Sequence, residues 1–422
     1  MIEAKIGERL SGLPVPVAVT LPSGRRIGAK APRVRLDFRD SRALMLMTTG
    51  RIGALGSAIV EGRVGVEGRM GDAMEVAAAL LPRPGFERPP GAVARFLARL
   101  RSGLRHSRSR DAHQIGFHYD LADDFYALWL DPRRVYSCAY FAADNLTLDR
   151  AQEAKLDLIC RKLDLRENER FLDIGAGWGA LLLWAAENYG VDATGITLSR
   201  NQHAHVTRLI AERGLAGRVR VELRDYRDLA PDRPFDKIAS VGMFEHVGHA
   251  NMPVYFGKLH SLIRPGGLIM NHGITAGGLD DAPVSGELGG FIERHIFPGG
   301  ELIHVSQLLR EAAGAGLEPL DTENLRPHYA RTLRHWSNRL ESRLPKAEAV
   351  LVGAHGAERA GQVLRAFRLY LAGCAMAFER GWVSLYQMLA ARPDGDMQGR
   401  AMRGAQSAYP FRRDYIYADR AS

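Results

Sequence analysis

Along residues 11–70, apolar positions alternate with polar ones in short runs: Val15, Val17, Val19 and Leu21, then Val34, Leu36 and Phe38, then Val64 and Val66. A period of two predicts half-buried strands, and the glycines between the runs predict turns. With one short helix expected near Asp72–Leu81, residues 1–82 read as a small β-rich accessory domain. Pro82, Pro84, Pro89 and Pro90 then punctuate the chain, and residues 83–112 read as a basic connector. There Arg95, Arg99, Arg101, Arg105, Arg108 and Arg110 interleave with Phe96, Leu97, Leu100 and Leu104 at helical spacing. A solvated linker helix and a helix lying on an anionic membrane surface both fit that pattern.

From residue 113 the period changes. Helical patterns over Ala151–Leu163 and Ala180–Tyr189 alternate with apolar, strand-like runs. The runs are Arg170–Ile174, Ala193–Leu198, Val219–Leu223, Lys237–Val241 and Leu268–Ile274. Strands and helices in alternation predict an α/β architecture with a parallel, doubly wound sheet. Residues 278–303, rich in glycine, read as an inserted loop or lid.

Composition narrows the picture. With 422 residues, 46% hydrophobic and 25% charged, the chain is neither collagen-like, coiled-coil nor wholly disordered, and its length fits two or three folding units. Its net charge of +9 points to an anionic partner. No helix-turn-helix, RNA-recognition or zinc-finger signature accompanies that charge, so a membrane surface is expected and nucleic acid is not. Cys138, Cys160 and Cys374 are too few and too scattered for a disulfide framework or a metal cluster, and no metal is expected. The opening MIEAKIGERL has no apolar signal core, and no apolar run approaches the roughly 18 residues of a membrane span. The expectation is a cytoplasmic protein, peripheral on the inner face of the membrane.

The candidate chemistry begins at Asp173-Ile174-Gly175-Ala176-Gly177-Trp178-Gly179, between a strand and a helix. A dinucleotide fingerprint would place a further glycine at Ala180 and an acid at the end of the next strand, which closes instead in Gly195-Ile196-Thr197-Leu198-Ser199. The spacing fits better a site for S-adenosylmethionine, with its amino acid group against the glycine turn. Thr197 and Gln202 are then candidates for the ribose hydroxyls, and Asp225 and Tyr226 for the adenine.

Further segments carry a resemblance: His118-Tyr119-Asp120-Leu121, Tyr136-Ser137-Cys138-Ala139-Tyr140-Phe141, Ser240-Val241-Gly242-Met243-Phe244-Glu245-His246-Val247-Gly248 and Pro327-His328-Tyr329-Ala330. Together with the glycine turn and the Cys374 region, they make the chain resemble cyclopropane-fatty-acyl-phospholipid synthases, kin to the mycolic acid cyclopropane synthases, over about residues 113–392. The resemblance implies a class I S-adenosylmethionine-dependent methyltransferase (Rossmann-like) fold with a helical cap over residues 113–422. It implies an unsaturated phospholipid as substrate and a homodimer as the assembly. Tyr136, Ser137 and Leu198 join Asp173, Gly175, Gly177 and Gly179 as implied cofactor contacts. Two positions depart from the family pattern: Ala176 stands where cysteine is common, and Gly273 where threonine is common.

The implied reaction adds a methylene across a cis double bond. An alkene has no proton to lose before it attacks the sulfonium methyl, so alignment in a dry pocket matters first, and a base is needed only for ring closure. The resemblance implies bound bicarbonate as that base, with Cys138, Glu245, His272, Ile274 and Tyr329 as its ligands. His272, the Tyr329 hydroxyl and the N–H groups of Cys138 and Ile274 would donate, and Glu245 would accept. Cys374 is a catalytic candidate through the resemblance alone, since ring formation requires no thiolate. Each of these residues also has a plainer reading: a surface ion pair for Glu245, a satisfied core histidine for His272, helix packing for Tyr329, buried small hydrophobes for the cysteines. The aromatic set Tyr119, Phe125, Tyr126, Trp129, Tyr136, Tyr140 and Phe141 reads both as cap core and as the wall of an acyl tunnel. The rival within enzymes is a lipid C-methyltransferase giving methyl- or methylene-branched chains. Outside enzymes, a lipid-binding module that kept the fold would not need both the glycine turn and the full anion set.

Overall fold

The computed structural model describes residues 2–80, 123–230, 232–278, 301–393 and 413–417. The basic connector, Tyr119 and most of the 278–303 stretch lie outside them.

The N-terminal unit runs α1 (Ile2–Ser11), β1 (Val17–Thr20), β2 (Arg26–Gly28), β3 (Val34–Phe38), α2 (Ser41–Thr48), α3 (Ile52–Val60), β4 (Val64–Gly68) and α4 (Met70–Leu80). Its sheet has the order β2-β1-β3-β4, with β1 parallel to β3 and the other pairs antiparallel. The three alternating runs do form strands, but the unit is not β-rich: helix exceeds strand. Two causes escaped the alternation pattern. Asp40 caps α2, its carboxylate accepting from the Ala43 N–H at 2.7 Å. Gly53 and Gly56, read as turn signals, lie inside α3, where burial of Leu55, Ala58, Ile59 and Val60 offsets the cost of about 1 kcal/mol per helical glycine.

The rest of the described chain builds one seven-stranded sheet. It contains α5 (Asp123–Ala127), α6 (Leu148–Lys162), β5 (Arg170–Ile174), α7 (Ala180–Tyr189), β6 (Asp192–Thr197), α8 (Arg200–Glu212), β7 (Val219–Leu223) and β8 (Phe235–Val241). It continues through α9 (Met252–Leu262), β9 (Ile263–Ala276), α10 (Val305–Gly314), β10 (Glu318–Asn324), α11 (Arg326–Glu341), α12 (Leu344–His355), α13 (Ala357–Glu379) and β11 (Val383–Ala391). The strand order is β10-β11-β9-β8-β5-β6-β7. The run from β9 to β7 is parallel, and β11 is antiparallel to both of its neighbours. The chain moves to one side of β5 for β6 and β7 and to the other for β8, so the strand order reverses at β5. A crevice opens at the carboxyl ends of strands around such a point.

Alternate residues of each strand serve opposite faces. Phe171 joins Leu156, Leu181 and Val206 on one face, while Leu172 joins Ile238, Phe256 and Leu259 on the other. A third apolar cluster is continuous from Ile6 and Val19 through Met70 to Trp129, Trp336 and Phe367, so the N-terminal unit and the helices inserted between β10 and β11 share one core. At that junction α13 packs against α3 and α4, and Arg365 Nε donates to the Val60 carbonyl at 2.9 Å. Helices α11–α13 are the expected cap.

Candidate active site

At the carboxyl end of β5 the chain turns through Gly175, Gly177 and Gly179 at φ of +79°, +56° and +83°, a region side chains with a Cβ rarely adopt. The Gly175 and Ala176 N–H groups both donate to the Ile196 carbonyl, at 3.0 and 2.9 Å, which ties the turn to β6. A Cβ on Gly177 would meet only the Gly175 carbonyl, at 4.0 Å, so this backbone faces open space. On Gly179 a Cβ would lie 2.8 Å from Val206 Cγ2. Gly179 therefore serves the close packing of α7 on α8, and it does not line the cavity that opens here.

The other expected cofactor residues do line that cavity: Tyr136, Ser137, Asp173, Gly175, Gly177, Thr197, Leu198, Gln202, Asp225 and Tyr226. Several are committed to one another. Thr197 Oγ1 donates to Gln202 Oε1 at 2.8 Å, and Ser199 caps α8. Asp225 accepts from Arg227 N and Nε at 2.9 Å and from its Nη2 at 2.6 Å, so its carboxylate is braced by an arginine. The Tyr226 ring stands edge-on to Tyr255 at 5.5 Å. Met243 and His246, from the loop after β8, close the cavity, as do Lys155 and Arg134. Lys155 is the residue sequence reasoning missed. The available signal was a lysine on the apolar stripe of α6, among the buried Ala151, Leu156, Leu158 and Ile159.

Next to this cavity the strand register gathers the expected anion ligands. Val241 pairs with His272 across β8 and β9, and His272 pairs with Gln387 across β9 and β11. Glu245 Oε1 accepts the Ile274 N–H at 2.7 Å. That corrects one expectation: the Ile274 N–H is held by Glu245 and does not point to an anion. Gly273 makes the contact possible, because a Cβ there would lie 2.3 Å from Phe244 Cε1 and 2.9 Å from Glu245 Oε1. Gln387 Nε2 lies 3.2 Å from His272 Nδ1. Cys138 Sγ approaches the Leu325 carbonyl at 3.8 Å, and the Leu325 and Tyr329 backbones are bonded in turn to Leu385, the partner of Ile274, and to Leu325. The five residues thus lie on adjoining segments, around β9, β11 and the start of α11.

Their electrostatics are those of a dry pocket. Burial pushes the Glu245 carboxyl up to about 7, against the Ile274 hydrogen bond. Burial holds His272 well below its ordinary value, so the ring is neutral at physiological pH, and the nearby charges of Lys155 and Lys162 act in the same direction. Glu245 Oε2 and His272 Nε2 are both buried, and neither has a partner among the described residues. Unpaired buried polar atoms are costly, and each of these two would be satisfied by a polar ligand.

The chain matches the sequence profile of the family described as mycolic acid cyclopropane synthetase over residues 106–388. It belongs to that family. A probable fatty acid methyltransferase of Pseudomonas putida is 43% identical over 397 residues, 93% of this chain and 96% of the relative. Cyclopropane mycolic acid synthase 1 of Mycobacterium tuberculosis is 38% identical over 278 residues, 64% of this chain and 93% of its own. Among solved structures, a mycolic acid cyclopropane synthase complexed with SAH and CTAB superposes with a TM-score of 0.59 at 35% identity, covering 66% of this chain and 97% of the other. The fold is that of the class I methyltransferases, and the chain is an S-adenosylmethionine-dependent methyltransferase of the cyclopropane synthase family.

Within that family fold, the remaining candidates sort by environment. Burial pushes the Cys374 thiol up to about 12 and the Cys138 thiol upward as well, so neither is a thiolate at neutral pH. Cys374 lies on α13 one turn from Tyr370, whose hydroxyl is 3.4 Å from that of Tyr136. The Tyr329 ring packs 4.7 Å from Phe378 and edge-on to Trp336. The aromatic set divides. Phe125, Tyr126 and Trp129 are fully buried around Phe367 and form the core of the cap. Tyr136 reaches the cavity, while Tyr140 and Phe141 stack on His328 and His335. Among the described residues no group of acidic, histidine and cysteine side chains has the arrangement of a metal site, and no helix is long and apolar enough to cross a membrane.

Proposed function

We propose that the protein transfers the methyl carbon of S-adenosylmethionine to a cis double bond of an unsaturated phospholipid acyl chain, forming a cyclopropane fatty acid, with bicarbonate as the base. The observation that carries this reading is that Glu245 Oε2 and His272 Nε2 are both buried without a partner among the described residues, Glu245 being held to the strand of His272 through the Ile274 N–H and His272 pairing with the cavity-lining Val241. With the Gln387 amide donating to Nδ1, the ring hydrogen of His272 is on Nε2, so the pair offers one donor and one acceptor. Bicarbonate presents the complementary acceptor and donor. When bound, it supplies a weakly basic oxygen that a dry pocket makes effective.

The chain's own residues do the rest. Glu245, fixed by the Ile274 N–H, accepts a proton-bearing group and stays in place across its own titration near pH 7. Neutral His272 donates without adding a charge that would compete with a cationic acyl chain. The rings of Tyr136, Trp336 and Tyr329 contact one another, Tyr136 lines the cavity, and their faces would stabilise positive charge on that chain. The basic connector supplies the affinity for an anionic membrane surface, from which the acyl chain is withdrawn.

A second reading, a methyl- or methylene-branched product, is favoured by the nearly full-length likeness to a probable fatty acid methyltransferase. Incubation with S-adenosylmethionine and unsaturated phospholipid vesicles, followed by fatty-acid analysis, separates the two. A gain of one CH₂ with loss of the alkene supports the cyclopropane. The same gain with an alkene retained supports branching, and an unchanged profile rejects both. Free fatty acids in a parallel incubation test the phospholipid requirement.

A further inference from the structure

Lys155 stands on α6 with its side chain turned inward, and only 2% of the residue is exposed. Lysine is almost never buried so completely unless its charge has a partner. Its Nζ donates to Ser137 Oγ at 2.9 Å, and one turn earlier Gln152 Nε2 donates to the Ser137 carbonyl, also at 2.9 Å. Helix α6 therefore grips residue 137 by side chain and backbone at once, beside the cofactor-lining Tyr136 and the anion-site Cys138. Lys155, Ser137 and Asp173 line the same cavity.

The titratable groups that face Lys155 are Cys138, Asp131, Asp173 and Cys160, together with His272, which burial keeps neutral. Asp131 is already occupied, its two oxygens accepting the Arg133 and Val135 N–H groups at 3.0 and 2.8 Å. Cys138 is held as a neutral thiol. Asp173 is left as the anion of this buried group, and Lys155 is the cation acting on it.

We propose that Lys155 is a positioning residue for the cofactor site: its ammonium fixes Ser137 and supplies the buried positive charge opposite Asp173. The proposal rests on the cavity being the S-adenosylmethionine site and adds a residue to it. Burial raises Asp173 to about 7 and lowers Lys155 to about 8 even though each charge opposes the shift of the other. Removing the lysine leaves only the Leu182 N–H hydrogen bond against the desolvation of Asp173, so the carboxyl takes up a proton more readily at neutral pH. A neutral Asp173 no longer complements the cationic end of the cofactor.

Calorimetric titration with S-adenosylhomocysteine between pH 6 and 8.5 tests this, on wild type, K155M, K155Q and K155R. Binding to the wild type checks the cofactor site by itself, so failure of that reading shows before any variant is compared. K155M should bind about tenfold or more weakly at pH 7 and recover as the pH rises and Asp173 ionises. K155Q, which keeps a donor for Ser137, should bind better than K155M but share its pH dependence. K155R, which keeps the charge, should restore the wild-type profile. Wild-type affinity in K155M, or a loss equal at every pH that K155R does not rescue, would overturn the proposal. Failure of both uncharged variants to fold would make Lys155 a stability residue and overturn it too.

Discussion

Glu245 shows how one side chain answers to two demands. Its ordinary value is 4.5, and burial raises it to about 7 in the folded protein. The folded state then binds a proton more tightly than the unfolded chain, so this group lowers stability as the pH rises through that window and costs nothing below it. E245Q keeps an acceptor for the Ile274 N–H but cannot ionise. Its melting temperature should match wild type at pH 5 and exceed it at pH 8, as scanning calorimetry would read. An equal gap at both values would mean that Glu245 is not desolvated. The same variant should bind S-adenosylmethionine normally, yet turn over about 10²-fold more slowly, the usual loss for a misplaced base. Near-normal turnover would remove Glu245 from the anion site.

At the scale of elements, the glycine turn is a backbone device. It couples β5 to β6 through the Ile196 carbonyl and leaves Gly177 facing open space at φ +56°. G177V would put a β-branched residue in a left-handed conformation and project two methyl groups into the cavity. Calorimetric titration should show loss of S-adenosylmethionine affinity in a protein whose circular dichroism is unchanged. Full affinity would place the cofactor elsewhere. Gly179 sits two residues on and works differently, since its missing Cβ makes room for Val206 and not for a ligand. Spacing alone could not separate these glycines, because both occupy the same motif and differ only in what lies opposite.

Across the whole molecule, the N-terminal unit and the cap share a core, and Phe367 is near its centre. Its ring is 5.1 Å from Phe125 and 6.0 Å from Trp129, on a helix that also meets α3 and α4. F367A should cost about 3–5 kcal/mol. Hydrogen exchange should show protection lost together in β1 and α13, and protection kept in β1 would mean that the N-terminal unit folds by itself. A second prediction at this scale comes from charge. Each basic residue near an anionic surface contributes about 1 kcal/mol, within a Debye length of about 8 Å at physiological salt. Replacing Arg99, Arg101 and Arg105 by Gln should weaken sedimentation with anionic vesicles and leave S-adenosylmethionine affinity unchanged. Undiminished sedimentation would make the connector a linker only.

The sequence by itself determined the α/β alternation, the strand Arg170–Ile174, the helix Ala180–Tyr189 and the glycine turn between them, because these depend on local periodicity and on backbone conformations that only glycine adopts. Through the family resemblance it also singled out Cys138, Glu245, His272, Ile274 and Tyr329, scattered along the chain, as candidates for one site. Only the tertiary structure decided what those residues face. The Ile274 N–H went to Glu245 because Gly273 lets that carboxylate lie against β9, and Asp225 went to Arg227 because the two are held in one turn. The helices α2 and α3 were hidden because their stability comes from burial in a core completed some 300 residues later by α13. Lys155 was hidden for the same reason. A lysine on an apolar stripe acquires meaning only when Ser137 is brought into hydrogen-bond contact with it and Asp173 onto the wall of the same cavity.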